Sequence, residues 1–340
     1  SDILLGTYKK LFLSGVVRQL ASDILLVSGV ALFVLLWNGF LVEGITGILG
    51  TKHYQPIRLF GNLIKPRKLV LPVLPFTLSS PALSLLLVFK TNTSYSRWDD
   101  ARKNWGKVVN NSRTIIREVT AWTARMPQHV SQQERSRIVR RIADCVWLFP
   151  RSLQRHLLQP TEDAQDYEND VRRKIGTRSP EFAEEMIRVR HKPTRVLYEM
   201  STAIAEMEMD SIQRTTIDSA VTELCDAMGA CERIFGSPVP SIYTRHAARF
   251  LELWLFFMPF TLWDAFAGFW NRWAMIPATM ILSFFFLGIE ELAIQLEEPF
   301  SMLPLSTITS NIEKSVEDHV QWYQQATERE KKIFDVAVGI

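Results

Sequence analysis

The chain has 340 residues, 47% of them apolar and 22% charged, with a formal net charge of +3. These averages match an ordinary globular protein, and the charge balance is too even for a nucleic-acid-binding surface. Cys145, Cys225 and Cys231 form neither a CxxC pair nor a disulfide framework, which predicts reduced thiols packed between helices.

The distribution departs from the globular norm, because charges avoid a few long windows. Residues 1–20 repeat apolar side chains at helical spacing beside Lys9, Lys10 and Arg18, the pattern of a helix lying in a membrane interface. These first residues show no signal-peptide pattern. From Ile24 to Val42 no residue is charged. At about 1.5 Å of rise per residue, that run can cross ~30 Å of hydrocarbon. The next loop holds Lys52, Arg58, Lys65, Arg67 and Lys68 and no acid. The positive-inside rule places it on the cytoplasmic side, whereas its charges also suit an anion-attracting pore mouth.

A second uncharged window, Leu69 to Phe89, holds Pro72, Pro75 and Pro81. A soluble core helix tolerates proline poorly. Membrane helices carry it where neighbouring groups or water satisfy the freed carbonyls. This proline-broken span is the candidate pore liner. Just beyond it, Tyr95, Trp98, Arg102 and Trp105 fall at i, i+3, i+7 and i+10, predicting one packed helix face.

Residues 90–245 carry both charge signs, with apolar positions at helical spacing such as Ile138, Ile142, Val146 and Phe149. Pro150, Pro160, Pro180 and Pro193 punctuate a soluble helical domain, and the acidic run 161–170 reads as an exposed loop. A third membrane region, 247–271, is interrupted by Arg249, Glu252 and Asp264. The fourth, Trp273 to Ile289, is uncharged and near the lower length limit for a span. The predicted division is therefore an amphipathic helix at 1–22, two membrane helices within 23–118, a helical domain at 119–245, two more membrane helices within 246–300, and an amphipathic tail at 301–340.

Nothing in the sequence points to catalysis. There is no glycine-rich phosphate loop and no HExxH pair, and the six histidines are scattered. Sequons at Asn92 and Asn110 fall in predicted helix, so glycosylation is not expected. Glu290, Glu291, Glu297 and Glu298 border the last span and need partners, for which Arg97 and Arg102 are the candidates. A dimetal carboxylate centre is the alternative, but it lacks the Glu-x-x-His companion of such bundles. No metal site is expected.

Three blocks carry a resemblance. They are PFTLSSPALSLLLVFKTNTSYSRWDDARKNWG from Pro75 to Gly106, CERIFGSPVPSIYT from Cys231 to Thr244, and FFFLGIEELAIQLEEPF from Phe284 to Phe300. In this order and spacing the chain resembles the bestrophin family, nearest its plant branch of thylakoid voltage-dependent chloride channels. The resemblance implies an all-α integral membrane protein, with four transmembrane helices per subunit and a cytosolic or stromal helical domain. It implies a homopentamer around a central pore, with self and lipid as partners and chloride or other small anions as the permeant species. The basic loop at 51–68 would then face the lumenal side, against the positive-inside rule.

Aligned on PALSLLLVF, the family's neck falls on Pro81, Leu85 and Phe89. Their spacing of four independently puts them on one stripe, about 12 Å from first to last. Lys90 borders the neck as an anion attractor. A second constriction is expected on the helix 211–234, at Val221 or Leu224. The calcium-binding acidic run of animal members is replaced by Ser301, Met302, Leu303, Pro304 and Leu305, so no calcium gating is expected there. The implied function is a voltage-dependent anion channel for chloride and nitrate, balancing charge across the thylakoid membrane. The alternatives are a cation-conducting pore and a non-conducting scaffold.

Overall fold

In the computed structural model, residues 15–43, 67–127, 129–158, 163–269 and 272–338 are described. Regular structure among them is entirely helical. In chain order the helices are α1 (Gly15–Leu36), α2 (Leu74–Thr123), α3 (Gln132–Leu157), α4 (Ala164–Lys174), α5 (Pro180–Arg188), α6 (Lys192–Ala205), α7 (Ser211–Gly236), α8 (Ser241–Ala265), α9 (Met275–Glu297), α10 (Pro299–Met302) and α11 (Leu305–Val338). The chain forms two compact units. The first takes residues up to Ser96 together with Val239–Glu297, and the second takes Arg97–Pro238 and Glu298 onward. The charge pattern divides the chain at 22, 118, 245 and 300.

Among the described residues, three helices are long and apolar enough to cross a membrane: Leu20–Gly39, α2 and α9. Helix α8 of the first unit has 25 residues. It carries Arg245, Arg249, Glu252 and Asp264 and packs against α1 and α9. Leu20, Ile24 and Val27 of α1 meet Leu83 and Leu87 of α2, Leu251 and Leu255 of α8 and Leu287 of α9. Ala31, Val34 and Leu35 form a second cluster with Trp263 and Met275.

The first span starts earlier than the uncharged window implies. α1 begins at Gly15 and finishes in a π-helical turn, Trp37–Glu43. That turn anchors the approach to α2. Trp37 Nε1 donates to the Arg67 carbonyl at 3.1 Å. The Asn38 amide donates to the Leu69 carbonyl at 3.0 Å and accepts from the Leu69 N–H at 2.8 Å. Residues 1–14 of the interfacial helix expected over 1–22, and most of the basic loop, lie outside the described residues, whereas residues 15–22 are part of α1.

The second unit has one large core, built from α3 to α7, the later part of α2, and α11. Ser131 caps α3 by accepting the Glu134 N–H at 3.2 Å, with acidic Glu134 in the first turn. Asp210 caps α7 in the same manner. Pro180 and Pro193 sit in the first turns of α5 and α6, where a missing N–H costs nothing. Pro150, expected as punctuation, lies inside α3. Leu305, Ile312, Val316, Val320 and Tyr323 of α11 are buried, so the amphipathic tail is part of this core.

Three expectations need correction here. The acidic stretch 161–170 is helix from Ala164, with Tyr167 buried. Asp163 is buried because Arg151 donates to both its oxygens, at 2.6 and 2.9 Å, and also to Asp170. A doubly bonded guanidinium compensates the desolvation of the carboxylate. On α2, Ala101, Trp105 and Val108 form the packed face, whereas Tyr95 and Arg102 are exposed. Of the three thiols, Cys145 and Cys231 are buried but Cys225 is exposed.

Candidate pore-lining helix

α2 runs for 50 residues without interruption, about 75 Å at helical rise. It is not broken by its prolines. Pro72 precedes it, Pro75 lies in its first turn, and only Pro81 is interior. Proline 81 has no N–H for the Thr77 carbonyl, its i−4 acceptor. The Ser80 hydroxyl takes that carbonyl instead, at 3.1 Å. A side chain thus repairs the bond that the sequence leaves open.

The part of α2 inside the first unit has two faces. Leu83, Leu87, Lys90 and Ser94 are buried at helical spacing. On the other side Pro81 is exposed, and Leu85 and Phe89 are each 55% exposed. Leu74, Leu78 and Val88 are exposed as well. An apolar surface of this extent on a helix that can cross a membrane has to be covered by lipid, by another copy, or by a pore it lines.

Lys90 does not border that exposed stripe. It is 2% exposed, and its ammonium pairs with the Glu290 carboxylate of α9, itself 7% exposed. The residue expected to attract anions is instead half of a buried ion pair. Its direction follows from the 100° step that separates it from Phe89. The need of Glu290 for a partner is therefore met by a lysine rather than by the arginines expected. Arg97 donates to the Ile234 and Ser237 carbonyls, both at 2.7 Å, at the end of α7. The Arg102 guanidinium lies over the Trp98 ring at 5.7 Å. Glu291 accepts from Gln295 one turn on. Glu298 is the N-cap residue of α10, and its carbonyl accepts from Ser301.

Val221 and Leu224, the candidates for a second constriction, both point into the core of the second unit. Leu303 and Leu305 of the segment 301–305 are also core residues.

The family model described as bacterial/fungal bestrophin protein matches residues 7–318. The chain belongs to the bestrophin family. It is 32% identical over 251 residues to voltage-dependent chloride channel 2, chloroplastic, of Arabidopsis thaliana, an alignment covering 72% of this chain and 56% of the relative. A voltage-dependent anion channel-forming protein of Nostoc is 28% identical over 255 residues, covering 73% of this chain and 77% of that one. The chain spans little more than half the length of the Arabidopsis relatives it matches. A crystal structure of a bacterial bestrophin homologue from Klebsiella pneumoniae superposes with a TM-score of 0.68 at 25% identity, covering 90% of this chain and all of that one. The all-helical architecture of this chain is thus the bestrophin fold.

Proposed function

We propose that this bestrophin forms an anion channel whose neck is lined by Pro81, Leu85 and Phe89 from several copies of the chain, five by analogy with the family. The observation that carries the reading is the two-faced α2. One side is fixed by core packing and the Lys90–Glu290 pair, and the other presents an unpartnered apolar stripe at a spacing of four. The names of the relatives, which specify chloride or anion channels, support the choice of ion.

An apolar neck offers no donors or acceptors to replace a hydration shell, so it favours ions that shed water cheaply and closes by dewetting. Chloride and nitrate meet that demand better than small cations. The electropositive edges of a ring of Phe89 side chains favour an anion further. With Lys90 committed to Glu290, the attraction of anions falls to the basic segment before α2, of which Arg67 and Lys68 are described and exposed. The names of the two chloroplastic relatives support a chloroplast location; placement in the thylakoid membrane, balancing charge during proton transport, is part of the proposal. Voltage would act on the permeant ions or the neck, since no arginine ladder of a voltage sensor occurs in the chain.

The test is the reversal potential of purified protein in a planar bilayer under a potassium chloride gradient, for wild type and Phe89→Ala. The expected result is reversal near the chloride potential, with conductance or rectification altered by the substitution. Reversal near the potassium potential overturns the anion reading. Absence of current from folded, inserted protein overturns the channel.

A further inference from the structure

The second unit brings together three side chains that the sequence keeps far apart. His156 lies in the last turn of α3, His191 is the N-cap residue of α6, and Glu232 lies near the end of α7. Their ligand-capable atoms all lie within 4.8 Å of one another. His191 Nε2 is 2.8 Å and His156 Nε2 is 3.1 Å from the same Glu232 Oε1. The two imidazole rings lie 4.6 Å apart. All three residues are partly buried, so the cluster is neither loose on the surface nor sealed in the core.

We propose that His156, His191 and Glu232 form a binding site for a divalent transition metal of the zinc class. Two imidazole nitrogens and one carboxylate oxygen are the donor set of three-ligand zinc sites, with the fourth position left to water. Ligand atoms around a tetrahedral zinc, each about 2.0–2.2 Å from the ion, lie roughly 3.4 Å from one another. The Nε2–Oε1 separations already approach that value. The donors also suit cobalt, nickel and copper, whereas a hard cation such as magnesium requires more oxygen.

The ring of His191 is held at a second point. Its Nδ1 accepts the Thr194 N–H at 3.4 Å, the cap of α6, and lies 2.7 Å from the Thr194 hydroxyl. Metal binding at Nε2 places the ring proton on Nδ1, so the Thr194 hydroxyl turns to accept it and the backbone N–H contact is given up, while the hydroxyl contact keeps the plane of the ring. The Lys192 ammonium, next to His191 in the chain, donates to the Ile187 and Val189 carbonyls.

A bound ion would join α3, α6 and α7 at one point, and α7 is the helix whose final carbonyls Arg97 holds. The reading is independent of ion conduction, and its test uses no current. Purified full-length protein in detergent, with any affinity tag removed and metal stripped by chelator, is titrated with zinc, cobalt or magnesium. The expected result is one zinc per chain, a raised Tm, no effect of magnesium at the same concentration, and visible absorption of tetrahedral cobalt on the wild-type chain. His191→Ala and Glu232→Gln should each weaken zinc binding by at least about tenfold. Should those variants fail to fold, the wild-type cobalt spectrum alone decides. Absence of stoichiometric zinc binding, a cobalt spectrum without nitrogen ligation, or unchanged affinity in folded variants each overturns the site.

Discussion

Lys90 and Glu290 show what one buried pair demands of a membrane-spanning unit. The two residues are 200 positions apart, and both are almost fully enclosed. Removing one partner leaves a charge with no solvent and costs about 3–5 kcal/mol, whereas replacing both by apolar groups of similar volume is often near neutral. Lys90→Met should therefore lower the Tm in detergent sharply, and Lys90→Met with Glu290→Leu should recover most of the loss. A single variant as stable as wild type would show that the pair carries no such weight. The buried thiols and Tyr167 make a second prediction at this scale. Burial, then the charge of Glu199, raises the pKa of Cys145. Burial, then Glu232, pushes Cys231 up to about 12. Burial takes Tyr167 to about 12 as well. In an unfolded chain thiols ionise near ~8.5 and tyrosine near ~10. The folded state keeps protons that the unfolded state releases, so this stabilisation is complete below about pH 8.5 and is lost as pH rises toward 12. The Tm should fall between pH 8 and 10.5, and fall less, relative to its own value at pH 8, in a Cys145→Ala/Cys231→Ala variant. Equal slopes for both proteins would contradict the assignment.

At the scale of the helix, α7 depends on a residue of α2 for its ending. Its last carbonyls have no intrahelical donors, and the forked Arg97 guanidinium supplies two. Arg97→Ala should cost about 1–3 kcal/mol and speed amide exchange near residues 230–238. Arg97→Lys should restore only part, because a lysine lacks the fork. Unchanged exchange in Arg97→Ala would remove the capping role. Helices were legible where one local rule applied. The charge-free windows mark α1 and α9. Other features depended on partners distant in sequence. The acidic run at 161–170 looks like a solvated loop until Arg151 is placed against Asp163. The prolines of α2 look like breaks until the hydroxyl of Ser80 is counted. Glu290 announces its need for a cation, but periodicity does not say that Lys90 turns inward to meet it. The scattered histidines gave no sign of the His156–His191–Glu232 cluster, since each arrives on a different helix.

For the whole molecule, Leu25, Leu26, Phe33, Leu253, Ile281 and Phe285 leave the first unit with exposed apolar surface. The protein should need detergent or lipid to stay dispersed. In detergent, light scattering corrected for the micelle should give about five times the 39.1 kDa chain mass, since the proposed neck sets the α2 stripes of five copies around one pore. A monodisperse single-chain mass would remove the assembly and the neck with it. The family, and with it the fold, was legible from three sequence blocks. The facing of individual side chains was not, because a helical pattern gives spacing but not which stripe the neighbouring helices cover.

The repaired carbonyl of Thr77 bears on which ions such a neck could hold. A bare backbone oxygen beneath the ring of Pro81 would be a ligand for sodium or potassium, and a ring of them would make a cation filter of the kind built from main-chain oxygens. The Ser80 hydroxyl spends that oxygen inside its own helix. The turn of α2 that proline would otherwise open offers a passing cation an oxygen already engaged on one lone pair, a poorer replacement for its hydration water.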